Sequence, residues 1–199
     1  MRNKKVYELV YLAIFTSIMF VMAWVPFLGF IPLGFASVTI LHIPVIIAIF
    51  VLGKKLGILV GLIFGTLSWL LAMIRPTQAL DPFFVNPIIS IFPRFLFAVF
   101  TVIIYEALKR TLKNKHLHMI ITSVLGSLIH SLLVLPLLVV IYFPELTDEG
   151  TFTAAVKLAL ITLGTNSTLE AVAAGIIVPL VVSAVLAAQY KVNKNLEID

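Results

Sequence analysis

No cysteine occurs among the 199 residues. Disulfides, thiolate metal sites and cysteine nucleophiles are thereby excluded, although the absence does not fix the compartment. Charge is scarce as well. Asp, Glu, Lys and Arg make up 12% of the chain, against roughly 25% in an ordinary soluble domain. No glycine-rich nucleotide loop is present either. Gly53-Lys54 lacks the upstream glycine and the following Ser or Thr, so ATP hydrolysis by a Walker loop is ruled out. What fills the chain instead is apolar: 61% of residues are hydrophobic and the mean hydropathy is +1.16. A water-soluble globule of this size has nowhere to hide so many apolar side chains, which excludes a soluble enzyme, a disordered chain and a disulfide-built secreted domain.

The apolar residues fall into six stretches, about 7–26, 36–53, 55–74, 87–108, 118–143 and 166–189. Each is near the ~20 residues that cross a bilayer as a helix. The expected fold class is therefore an all-α membrane protein of six transmembrane helices, residues 1–199 forming a single domain. The basic N-terminus followed by an apolar run resembles a signal peptide, but no small-x-small cleavage site intervenes before Pro26, so the run is read as an uncleaved first span.

The net charge of +5 matters less than its distribution. Eleven of the fourteen Lys and Arg lie at the N-terminus, in the 2–3 and 4–5 connections and in the tail, all on one side of a six-span bundle. Only Arg75, Arg94 and Lys157 remain elsewhere. The positive-inside rule then places both termini in the cytoplasm of a prokaryotic cell membrane. No nucleic-acid partner is expected. The basic connections are short, whereas those on the other side are long, irregular and rich in Gly and Pro, as loops that close over a ligand commonly are. A binding cup open to the outside is expected. Phe152 to Leu163 is read as a short interfacial helix broken at Gly164-Thr165-Asn166, and span 2 as interrupted near His42 and Pro44. The two halves share no repeat.

Polar groups inside the spans are few, and each is costly to insert. Arg94 lies roughly 10 Å below the outer end of span 4 at 1.5 Å per residue. It suits a ligand carboxylate or phosphate, or else pairs with Glu170 or caps the carbonyls of a broken helix. Asn166 and Glu170, spaced i, i+4, share one face of span 6. There they offer a ligand donors and acceptors, or serve as a helix cap and a salt bridge. His130 near the middle of span 5 and His42 at the break in span 2 are ligand contacts or interhelical hydrogen bonds; with no tight ligand spacing, no metal site is expected. Arg75, Gln78 and Asn86, with Asp81, belong to the connection that flanks Arg94. Trp69 is assigned to the aromatic belt, and His116 and His118 to a solvated basic loop. Gly57, Gly61 and Gly65 form a small-residue face for close helix packing, and Ala13 and Ser17 a second one on span 1.

Several stretches in this order resemble a known family. They are Ser37-Val38-Thr39-Ile40-Leu41-His42-Ile43-Pro44, the Leu52–Gly57 turn, Pro93-Arg94 opening a span that ends Tyr105-Glu106-Ala107-Leu108-Lys109-Arg110, and Asn166-x-x-x-Glu170 followed by Pro179. Together they are similar to the substrate-binding S components of energy-coupling-factor (ECF) vitamin transporters, most of all the pantothenate binders. The resemblance implies a vitamin captured from outside beneath the 1–2 loop. It also implies a transmembrane coupling subunit and two cytoplasmic ATPases as partners, and no cofactor. It further implies that a small-residue face on span 1 docks on the coupling subunit. Here that stretch holds Ala13 and Ser17, with Ser in place of the family's second Ala. Arg94 or Arg75 would hold a carboxylate, and Asn166, Gln78, Asn86 or His130 the amide and hydroxyls. Riboflavin and folate are the alternative vitamins. A small self-sufficient transporter or channel is the alternative class, disfavoured because the cytoplasmic halves of the spans lack a polar lining. An intramembrane enzyme lacks its paired acids or dyad.

Overall fold

The computed structural model describes residues 4–25, 27–33, 36–76 and 80–196. Eight helices account for most of the fold: α1 (Lys4–Trp24), α2 (His42–Leu52), α3 (Lys54–Ile74), α4 (Pro87–Ser90), α5 (Phe92–Thr111), α6 (Lys115–Tyr142), α7 (Phe152–Thr162) and α8 (Thr168–Leu196). Among the described residues, four segments are long and apolar enough to cross a membrane: Lys54–Ile74, Pro87–Thr111, Lys115–Tyr142 and Phe152–Lys191. The chain is an all-α membrane protein with one small hairpin.

Its packing is inverted relative to a soluble protein. Leu180 and Val140 are 67% and 66% exposed, while His42, Thr101, Thr122 and Ser127 are fully buried. Such a surface is stable only where the surroundings are hydrocarbon. Helix α3 lies tightly on α5 through its glycines. A Cβ on Gly61 would sit 2.4 Å from the Ala98 Cβ, and one on Gly65 would sit 2.9 Å from the Ile91 Cα. The glycine face of span 3 therefore packs inside the bundle, as small residues at this spacing allow.

Three of the expected spans differ in detail. The stretch 36–53 is not one helix. Residues Ala36–Thr39 form strand β2, paired antiparallel with β1 (Phe30–Leu33) in the register Phe30↔Thr39 and Ile31↔Val38. The β-branched Val38 and Thr39 favour the strand, and α2 begins only at His42. At 1.5 Å per residue the eleven residues of α2 rise about 16 Å, half of the ~30 Å hydrocarbon core. The stretch 87–108 is likewise divided. Pro87 opens α4, Ile91 interrupts it, and Pro93 stands in the first turn of α5, each proline sitting where a missing N–H costs least.

The third difference is at Gly164-Thr165-Asn166, where a break is expected and the helix instead continues through a π turn at Leu163–Ser167. Helical phase gives the reason. On an uninterrupted helix at about 100° per residue, the buried α8 positions Ala171, Ala174, Val178 and Val182 would point about 100–180° away from buried Ala155 on α7. A π turn absorbs one extra residue and rotates them back to within about 0–80° of it. The hydroxyls of Thr162, Thr165 and Thr168 donate to the carbonyls of Leu158, Ile161 and Gly164 at 2.8–3.0 Å, supplying partners to the backbone of the widened turn.

Candidate functional site: a cavity around a buried arginine

A cavity of about 450 Å³ occupies the end of the bundle opposite the Lys54–Lys55 turn. The end of α1, the hairpin, α3, the 3-10 turn at Asp81–Val85, α5, α6 and the π turn all contribute to its wall. Arg94 reaches it from the first turn of α5 and is 5% exposed. Its guanidinium lies over the Phe84 ring, 4.6 Å from the centroid, and 5.8 Å from that of Phe64. Nη1 donates to the Ile89 carbonyl at 2.6 Å, while Nε is buried without a partner among the described residues. Among the described residues no carboxylate contacts Arg94; the Lys54–Glu106 ion pair, at 3.0 Å, lies far along the bundle. The salt bridge to Glu170 that the sequence allows is not formed, although the Ile89 contact does satisfy a carbonyl of the broken span. Glu170 lines the same cavity without contacting Arg94, so the buried cation lacks a carboxylate in direct contact, and an anion entering the cavity would supply one.

Glu170 is committed elsewhere. Its carboxylate accepts from the Thr39 backbone N–H at 2.5 Å and from the Ser131 hydroxyl at 3.2 Å. One side chain on α8 thus joins β2 and α6 at the cavity wall, holding the hairpin by the last residue of its second strand. Beside it, His42 and His130 stack with ring centroids 5.3 Å apart and planes 11° from parallel, and Phe97 stands edge-on to both. Neither ring nitrogen of His130 has a hydrogen-bond partner among the described residues. His42, His130 and Glu170 place possible ligand atoms within 4.8 Å of one another, a clustering their sequence spacing does not reveal. Two of these three residues, His130 and Glu170, line the cavity itself. The arrangement suits hydrogen bonding to a ligand. His130 lines the cavity directly and His42 backs it.

Residues 8–182 match the family described as ECF transporter, substrate-specific component. This chain belongs to that family. The pantothenate transporter PanT of Leuconostoc mesenteroides is 33% identical to it over 120 residues, covering 58% of this chain and 57% of that protein. The aligned stretch thus spans little more than half of the relative's length. The family is one of transporter components rather than of enzymes.

In this substrate-specific component, the other expected site residues divide. Asn166 and Ser167 line the cavity from the π turn, buried to 7% and 2% exposure, and the Thr165 hydroxyl lies 3.0 Å from Asn166 Oδ1. Arg75 stands at the cavity rim, exposed. It donates to the Trp24 carbonyl at 3.0 Å and stacks on the Trp24 ring at 5.7 Å, so it ties the end of α1 to the end of α3. Asn86 does not line the cavity. Its Oδ1 accepts from Ile88 N at 3.0 Å as the N-cap of α4, and its Nδ2 donates to the Tyr142 hydroxyl at 3.4 Å. Asparagine is among the preferred residues for such a cap. Gln78 lies outside the described residues. Ala13 and Ser17 are exposed on one face of α1.

Two residues set aside on sequence grounds have specific partners. Trp69 Nε1 donates to the Val85 carbonyl at 2.9 Å, anchoring the 3-10 turn. His118 is buried, with Nε2 3.0 Å from the Tyr105 carbonyl, and so is not a solvated loop residue. Phe84, Ser131 and Ser167 are cavity residues that composition gave no reason to single out; the two serines have only their adjacency to His130 and Asn166 as a signal, and Phe84 has none.

Proposed function

We propose that this substrate-specific component captures pantothenate from outside the cell and holds it in the cavity around Arg94. The observation that carries the proposal is a buried arginine, in contact with no carboxylate among the described residues, on the wall of a cavity of about 450 Å³. That volume falls within the roughly 300–1,000 Å³ typical of small-molecule sites. Pantothenate carries one carboxylate, an amide, two hydroxyls and a gem-dimethyl group. Arg94 takes the carboxylate through its terminal edge, because Nε is enclosed. His130, Ser131, Asn166 and Ser167 serve the amide and hydroxyls, and Val134, Leu135 and Leu71 face the methyl groups. The PanT relative supports pantothenate over riboflavin or folate.

In this proposal residues 1–199 form one domain with six crossings, α1 and the hairpin-α2 unit joining the four long segments. Both termini are cytoplasmic, and the cavity faces outward. The exposed Ala13–Ser17 face of α1 docks on a transmembrane coupling subunit driven by two ATPases. Identification of the small molecule that co-purifies with the gently solubilised protein tests the substrate. A stoichiometric pantothenate is the expected result, and a different vitamin at that stoichiometry would contradict it.

A further inference from the structure

The segment from Asp81 to Ser90 is built with more care than a connection requires. Pro82 stands in the first turn of the 3-10 helix, Asn86 caps α4, and Pro87 opens it. Phe84 is pinned from both sides. Trp69 on α3 holds the next carbonyl, that of Val85, at 2.9 Å, and the Ser90 hydroxyl donates to the Phe84 carbonyl itself. The pinned ring lies 4.6 Å from the Arg94 guanidinium and also lines the cavity. On the far side of the segment, the Ile89 carbonyl takes Nη1 at 2.6 Å. One aromatic face and one carbonyl therefore hold the guanidinium from two sides.

We propose that Phe84 is a positioning residue that makes the Arg94 site selective for a carboxylate. An unheld arginine has rotamer freedom to lose on binding, and it can turn toward other acceptors. Held by Phe84 and Ile89 and with Nε enclosed, the guanidinium presents its terminal Nη edge, which can meet two carboxylate oxygens at once. The ring favours the cation over a neutral occupant of the same space, because a desolvated cation–π contact is electrostatic. Phe84 thus acts on the charged end of the ligand and leaves the hydroxyl end to His130 and Asn166. The inference rests on the proposal that the ligand bears a carboxylate.

The test compares two ligands on the whole, detergent-solubilised chain: pantothenate and its neutral alcohol, in which CH2OH replaces the carboxylate. Phe84→Leu is expected to weaken pantothenate about tenfold while changing the neutral alcohol less than about twofold, and Phe84→Tyr to restore the preference. An equal loss for both ligands, or no loss, would overturn the inference and make Phe84 a plain wall residue. If wild-type protein binds neither ligand, the substrate proposal fails instead. A ligand-free double-mutant cycle of Phe84→Leu and Arg94→Met, read by thermal unfolding, then decides. Non-additive shifts support the coupling, and additive ones contradict it.

Discussion

At the scale of residues, the inventory of polar groups in an apolar chain was the informative signal. Glu170 illustrates both its strength and its limit. A carboxylate inside a span needs a reason, and the structure supplies one in the Thr39 N–H and the Ser131 hydroxyl. Glu170→Ala leaves both donors unpaired, at about 1–3 kcal/mol each. The unfolding midpoint is expected to drop by several degrees, given about 2–4 °C per kcal/mol at this size. Glu170→Gln, which keeps an acceptor for Thr39, is expected to lose less; equal losses would show that the hydrogen bonds are not the source of the effect. Arg94, Asn166 and His130 were legible for the same reason as Glu170. Asn86 is ambiguous in sequence, because a polar side chain before proline looks the same whether it caps a helix, as it does here, or faces a ligand. Phe84 was invisible, since one Phe among fifteen is distinguished only by the ring's position over a guanidinium.

At the scale of elements, hydropathy located the long helices, and the departures have local causes. The strand at Ala36–Thr39 arises where β-branched residues follow a connection, and only pairing with Phe30–Leu33 decides it. The π turn arises because the apolar phase slips by one residue between α7 and α8, which a window of hydropathy does not register. Close packing of α3 on α5 gives a direct prediction. Gly65→Ala places a Cβ 2.9 Å from the Ile91 backbone and 3.3 Å from the Arg94 Cβ, so α5 must move. Overpacking of this kind costs about 1–3 kcal/mol, and because the moved helix carries Arg94, ligand affinity is expected to fall together with stability. Gly164→Ala serves as the control, because a Cβ there meets nothing within 4 Å, and thermal unfolding and binding are both expected to stay near wild type. If Gly65→Ala matched that control, the packing account of the glycine face would be wrong.

At the scale of the whole molecule, charge sorts the two ends. Lys109, Arg110, Lys113 and Lys115 cluster at the α5–α6 turn, whereas Glu145, Asp148 and Glu149 lie between α6 and α7 near the cavity end. The natural absence of cysteine makes the proposed orientation easy to read. In intact cells, Asp148→Cys is expected to react with a membrane-impermeant maleimide, and Lys113→Cys only after permeabilisation. The reverse pattern would invert the protein and turn its cavity inward. Binding, by contrast, should need no partner, because every group assigned to the ligand belongs to this chain. The central claim is that Arg94 holds the carboxylate of a vitamin in the cavity. Its most direct test is a binding titration of the purified protein with pantothenate, wild type beside Arg94→Met. Losing a buried charge partner is worth about 2–5 kcal/mol, so the variant is predicted to bind at least about thirtyfold more weakly while remaining folded. Equal affinity of the two proteins would contradict the account.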